Sequence, residues 1–411
     1  MLTIGKVNDA NSVFDATIEL NFGPGLTSTF HLIYLLDNCT SPQSLHPETK
    51  QRLIDVFSTA QEQSGSSFEE ADKAIQRIFK GGVDFEVIDG ALLCHWSRSH
   101  SSKFSQKWLQ THSYSPKLYE KPQLLPAICP WDAAQFLDLT RQHRSYKFND
   151  LPDKLPGLLE DIFTYGFQFI EDVPVSLEAT KKVSEMISII RPTHYDLGVW
   201  DFSSDLAKKD TAYTTLRIDM HTDGNYWQET PGLQLFHLLE HSGGNGGETR
   251  IVDVEHILKV LKDLAVEDES WQRTYHVLTT QPIAFHQAGE EGICFTQDFF
   301  PILSVTGGGQ LLKCRWNNSD RSPQFPVLKF SVGHIYEALF RFNALINDPK
   351  NYVQFQLTPG KILVFDNWRV LHARNAFTGY RRLCGSYLTR DDFIARLKGF
   401  YNDRDSLLNA L

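Results

Sequence analysis

From Tyr195 onward the chain reads as short apolar runs set apart by glycine-rich or charged loops: LQLFHLL, TRIVDV, VLTTQPIAF, LLKCRW, YVQFQL, KILVFD and LCGSYLT. Runs of this length between such loops are strand signals. Helical stretches at 254–265 and 333–348 interrupt them, but no regular alternation of strand and helix develops. This texture excludes a doubly wound parallel sheet. It points to a mainly β fold with helices (α+β), a sandwich or jelly roll with helical insertions.

The sequence before Tyr195 divides in two. Residues 13–35 alternate as strands around a Gly23-Pro24-Gly25 break, a polar stretch follows, and 62–82 reads as a Ser/Gly linker into a short helix. Strands return at 83–95, a helix covers about 104–111, and Pro116, Pro122, Pro126 and Pro130 mark a linker. The expected domains are therefore 1–115, small and β-rich, and 116–411. The second opens with the helical patterns DAAQFLDLTRQ, LPGLLEDIFTYG and SLEATKKVSEMISII around the strand FQFIEDV.

With Lys+Arg 40 against Asp+Glu 50, the net charge of −10 disfavours electrostatic capture of nucleic acid or an anionic membrane. No apolar run approaches the ~18 residues that span a bilayer. The six cysteines are scattered without a C-x-x-C, which suits reduced thiols. The opening residues lack a secretory apolar core and carry Asp9, Asp15 and Glu19. A soluble, cytoplasmic protein is expected, with the mitochondrial matrix as the alternative if a leader has been removed. No G-x-G-x-x-G or Walker A sequence supports nucleotide binding.

The sharpest chemical feature is His221-Thr222-Asp223. On an extended segment, side chains at i and i+2 share a face, so one metal could meet both. A second histidine would complete the 2-His-1-carboxylate set of non-haem Fe(II) oxygenases. His372, at the end of KILVFDNWRVLH, is the candidate. His237, His241 and His256 compete; His237 reads as a core histidine, the others as solvated. An oxygenase of this kind that uses 2-oxoglutarate also needs a cation and a hydroxyl for the far carboxylate, because a buried carboxylate must be paired. Thr249 and Arg381 are the candidates.

The segments DTAYT with MHTD, the GGET loop, NWRVLH and FTGYRRLCGSYLTRDD resemble the trimethyllysine and γ-butyrobetaine dioxygenases of carnitine biosynthesis, more closely the trimethyllysine branch. The resemblance runs from about Phe163 to Phe393. It implies a double-stranded β-helix catalytic domain with Fe(II) on His221, Asp223 and His372 and 2-oxoglutarate on Thr249 and Arg381. It implies cleavage of 2-oxoglutarate with O2 to succinate and CO2, coupled to hydroxylation of trimethyllysine at C3. Ascorbate as a helper reductant and a homodimer follow from the same resemblance.

A trimethylammonium group donates no hydrogen bond, so proteins bind it with aromatic faces. Tyr195, Trp200, Tyr213 and Tyr387 match the family's cage positions. Asp210 matches an acidic position of the trimethyllysine branch, where it could pair the substrate's α-ammonium; Asn317 matches another substrate-contacting position. Gly224, after Asp223, leans away from the butyrobetaine enzymes, which often have Tyr there. Many relatives carry an N-terminal zinc site. Here Cys39 and His100 remain in register, two other ligand positions read Ser41 and Ser44, and His46 and Cys94 are loose substitutes. Two ligands do not make a structural zinc site, so none is expected. The competing functions are a γ-butyrobetaine dioxygenase, a non-catalytic methylammonium-binding relative, and a zinc hydrolase using the same triad.

Overall fold

The structure, a computed structural model, describes residues 1–8, 14–56, 83–119, 123–142, 145–203, 214–288, 291–404 and 406–407. The chain forms two compact units, Met1–Leu124 with Asp403–Leu411, and Leu125–Asn402.

In the first unit, β1 (Thr3–Asn8), β2 (Thr17–Gly23) and β3 (Leu26–His31) form one antiparallel sheet, and β4 (Asp84–Ile88), β5 (Ala91–Ser97) and β6 (His100–Ser105) another. The Gly23-Pro24-Gly25 break is the β2–β3 turn. The apolar run expected to continue β3 instead turns into the helix Leu32–Asp37. Leu32, Leu35 and Leu36 lie at the spacing of one helical face, and all three are buried there. The core includes Ile18, Leu20, Phe30, Leu92, Trp96 and Phe104. The segment 62–82 lies outside the described residues.

Cys39, Ser41, Ser44 and His100 meet in this unit. His100 Nε2 lies 2.9 Å from Ser44 Oγ and 3.4 Å from Cys39 Sγ, and Cys39 Sγ is 3.2 Å from Ser41 Oγ. Hydrogen bonds join all four side chains. His46 is turned elsewhere, its Nδ1 accepting from the Glu48 and Thr49 amides.

The second unit is built on two sheets. The six-stranded sheet has the order β7 (Tyr146–Lys147), β8 (Phe167–Glu171), β18 (Ile362–Asp366), β11 (Leu233–Ser242), β20 (Tyr380–Leu388), β9 (Trp200–Ser203). The four-stranded sheet has the order β10 (Ile218–His221), β19 (Val370–Arg374), β12 (Thr249–Asp253), β17 (Tyr352–Phe355). Short hairpins β13 (Phe285–Gln287) with β14 (Phe295–Gln297) and β15 (Leu303–Val305) with β16 (Leu311–Cys314) stand beside them. All pairings are antiparallel except β7 with β8. This is the jelly-roll arrangement that the late strands imply.

The period-two alternation of the central strands assigns their two faces. Leu233 and Leu235 of β11, Ile362 and Val364 of β18 and Leu388 of β20 pack against Leu158, Leu159, Ile162, Val183 and Ile187. Those residues come from the helices Leu151–Tyr165 and Leu177–Ile187. The intervening residues Gln234, Phe236, Leu383 and Tyr387 face the other way, into a cleft. The run VLTTQPIAF is not a strand at its start: Glu269–Thr280 is a helix that buries Thr274, Val277 and Leu278, and only Phe285–Gln287 is extended. A helical face at i, i+3 and i+4 and a short apolar strand look alike over so few residues.

Candidate active site

β10 and β19 bring the two histidines together, because His221 and His372 are direct register partners. Their ring centroids are 4.1 Å apart. Asp223 follows β10 in the turn Thr222–Asn225, and one ligand atom from each of His221, Asp223 and His372 falls within 4.8 Å of the others. Among the described residues this is the only such group of metal-ligating side chains.

The turn is fixed from several sides. Thr222 N–H donates to Trp316 O at 2.8 Å, and Trp316 N–H returns a bond to Thr222 Oγ1 at 3.1 Å. Asn367, fully buried, accepts from Asp223 N–H at 2.9 Å and donates to Asp223 O at 3.1 Å. Gly224 has φ +70°, and a Cβ there would come within 2.3 Å of the Trp227 ring. Both features demand glycine at that position.

The Asp223 carboxylate is divided between two tasks. Oδ2 accepts from Gln234 Nε2 at 2.5 Å and from Tyr387 Oη at 2.9 Å. Gln234 and Tyr387 are register partners on β11 and β20, so sheet pairing delivers both donors to one oxygen. Oδ1 is left 3.2 Å from His221 Nε2. His221 Nδ1 lies 2.8 Å from Asp219 O, and a carbonyl only accepts, so Nδ1 carries the proton. Nε2 is thereby the nitrogen presented to a metal.

Electrostatics favour the ligating forms of Asp223 and His372, while His221 gives up a proton to bind a metal. Burial works against charge on His221, but the hydrogen bond and charge of Asp223 outweigh it, and its pKa lies above the ordinary value. Burial also opposes an ionised Asp223; its bond to His221, the neighbouring His372 and Tyr387 Oη nevertheless hold its carboxyl well below the carboxylate range. Burial, with His221 beside it, lowers His372 to about 3. The His372 ring is therefore neutral, and its buried Nδ1 has no protein partner. Two imidazoles and a carboxylate on one side of an open cleft fit a divalent first-row metal.

The cleft and the solvent at its mouth together span about 1070 Å³ of space between atoms. Thr249 and Arg381 line it, both buried. Thr249 precedes Ile251, the β12 register partner of His372, by two residues, so it shares that inward face. Arg381 sits near the start of β20 with its Nε buried and without a protein partner. Burial and the nearby Arg374 lower its pKa to about 10, which leaves it a cation at neutral pH. A buried guanidinium with an open donor is a place for an anion.

Tyr195, Asn317 and Tyr387 also line the cleft. Tyr195 Oη meets Tyr226 Oη at 2.9 Å. Trp200 is placed differently. It is buried behind the cleft wall, stacked on Phe202 at 4.4 Å with its ring over Gly385, and is not a lining residue. Asp210 and Tyr213 lie outside the described residues. The sequence reading missed Gln234, Asn367, Phe202, Tyr226 and Asp320. His237 is a core histidine: Thr180 Oγ1 donates to Ser176 O, so it accepts from His237 Nδ1–H at 2.8 Å.

The fold and these side chains define a jelly-roll oxygenase of the 2-His-1-carboxylate class. Residues 135–387 match the family model described as taurine catabolism dioxygenase TauD, TfdA family. Trimethyllysine dioxygenase of Meyerozyma guilliermondii is 36% identical over 412 residues, 96% of each chain. The mitochondrial trimethyllysine dioxygenase of Homo sapiens is 33% identical over 377 residues, 90% of this chain and 83% of that one. Gamma-butyrobetaine dioxygenase of a Pseudomonas species is 26% identical over 391 residues, 93% of this chain and 94% of that one. The chain belongs to the TauD/TfdA dioxygenases and, within them, to the trimethyllysine dioxygenase family.

Proposed function

We propose that this protein hydroxylates N6,N6,N6-trimethyllysine at C3, using Fe(II) and 2-oxoglutarate, the first step of carnitine biosynthesis. The observation that carries this reading is one cleft holding a His-Asp-His triad, a buried cation and an aromatic wall.

His221 Nε2, Asp223 and His372 would hold the metal. Bound Fe(II) supplies O2 activation and the decarboxylation of 2-oxoglutarate. Arg381 and Thr249 receive the far carboxylate of 2-oxoglutarate. Tyr195, Tyr226, Phe202 and Tyr387 present aromatic faces to the trimethylammonium group, with Tyr213 as a further member drawn from the resemblance, and Trp200 backs the wall by stacking on Phe202. Asp210 and Asn317 belong to recognition of the amino-acid end. Ascorbate as reductant, a homodimer and the cytoplasm as compartment complete the reading.

Arg381→Ala tests the co-substrate assignment: the apparent KM for 2-oxoglutarate rises by tenfold or more, on the order expected for loss of a charged hydrogen bond. An unchanged KM removes Arg381 from that role. Turnover of γ-butyrobetaine in place of trimethyllysine would keep the iron site and replace the substrate.

A further inference from the structure

The cleft has two chemically different walls. One is aromatic: Tyr195, Phe202, Tyr226 and Tyr387. The other is a short polar loop after β16, contributing Asn317, Ser319 and Asp320. Among the described lining residues, Asp223 and Asp320 are the side-chain carboxylates. Asp223 faces the metal triad and takes bonds from Gln234 and Tyr387, whereas Asp320 belongs to the polar loop and takes a bond from Asn317.

The Asp320 loop is anchored at both ends. Trp316 is bonded in both directions to Thr222, the residue between His221 and Asp223. At the far end His286 N–H donates to Asp320 O at 2.8 Å, and Phe285 bridges Arg321. Within the loop, Asn317 Nδ2 donates to Asp320 Oδ2 at 2.7 Å, while Asn317 Oδ1 takes the Ser319 amide at 2.9 Å. The Asn317 side chain thus orients Asp320, and the carboxylate is held in register with the metal triad.

A trimethyllysine substrate carries two cations of different chemistry. The quaternary ammonium cannot donate a hydrogen bond and suits the aromatic wall; the α-ammonium donates and needs a charged acceptor. We infer that Asp320 is the acceptor for the substrate's α-ammonium, and that the 317–320 loop discriminates an α-amino acid from a betaine lacking the amine. The inference rests on the substrate reading above. It adds a second carboxylate to recognition of the group assigned to Asp210 by resemblance.

The test uses the full chain with Fe(II) and 2-oxoglutarate. It compares trimethyllysine with 6-(trimethylammonio)hexanoate, the same molecule without its α-amine. The wild type has the lower KM for trimethyllysine. Asp320→Asn raises the KM for trimethyllysine by about tenfold or more, the scale of a charged hydrogen bond, and leaves that of the analogue within about twofold. The KM for 2-oxoglutarate is unchanged. Asp320→Glu keeps the charge and much of the preference, so the result does not depend on the Asn variant alone. Equal KM values in the wild type, equal losses on both substrates in Asp320→Asn, or a loss confined to Asp210→Asn each overturn the inference. Wild type that turns over neither compound defeats the substrate reading itself, and this inference with it.

Discussion

Asp223 is where the site is decided at the scale of single residues. One oxygen faces His221, and the other takes two hydrogen bonds that orient the carboxylate. Outer donors of this kind are commonly worth 10–100-fold in metal affinity. Tyr387→Phe removes one donor while keeping the ring. Fe(II) affinity is predicted to fall by about tenfold or more in anaerobic titration, with an unchanged circular dichroism spectrum. Affinity equal to wild type would show that the hydroxyl does not support the metal.

Proton competition belongs to the same scale. The raised pKa of His221 means that metal entry displaces a proton below that pKa, so Fe(II) affinity rises with pH and levels off above it. His372, lowered to about 3, adds no competition across the neutral range. A plot of log affinity against pH with a single-proton slope on the acid side is expected; a flat profile would contradict it. That His221, Asp223, His372, Thr249 and Arg381 gather in one cleft was legible because each stands in a short motif. The places of Gln234, Asn367 and Asp320 were not, because they come from register and loop contacts with residues far along the chain, which local spacing does not encode.

At the scale of elements, β11 and β20 do most of the positioning. Their register sets Gln234 beside Tyr387 on the cleft face and Leu235 beside Ser386 on the helix face. A one-residue slip would exchange the two faces and empty the site. The alternation in LQLFHLL made β11 recognisable, and the same apolar density misled at 277–285, where a helical face was the better solution. His237, on the helix side of β11, is fully buried, and desolvation lowers its pKa from the ordinary 6.5 to about 4. Its neutral form is the one that fits. The stabilisation is thus present above pH 6.5 and lost as pH falls toward about 4, because the unfolded chain takes up the proton first. His237→Leu is predicted to flatten the fall in urea midpoint between pH 7 and pH 5. An equally steep fall would assign the acid sensitivity to other groups.

At the scale of the whole molecule, the second unit is tied by a buried ion pair in the NWR motif. Arg369 makes two bonds of 2.8 Å to the Asp253 carboxylate and also donates to the carbonyls of Cys129, Phe163 and Thr164. Asp253 in turn accepts from the Trp131 and Glu255 amides. Breaking one partner of such a pair leaves a buried charge exposed to no water. Arg369→Met is predicted to cost about 3–5 kcal/mol in denaturant unfolding; a cost under about 1 kcal/mol would mean the pair is not structural. At this scale the jelly roll was legible from strand texture. The membership of Asp403–Leu411 in the first unit was not, since no local pattern records which unit a terminus joins.

The central claim is that one cleft couples a His-Asp-His metal site to oxidation of trimethyllysine. It is tested most directly by incubating purified protein with Fe(II), 2-oxoglutarate, O2 and trimethyllysine and quantifying both products. The predicted result is 3-hydroxytrimethyllysine formed one-to-one with succinate, and neither product from His372→Ala. Hydroxylation that persists in His372→Ala, or succinate without hydroxylated amino acid from the wild type, would contradict it.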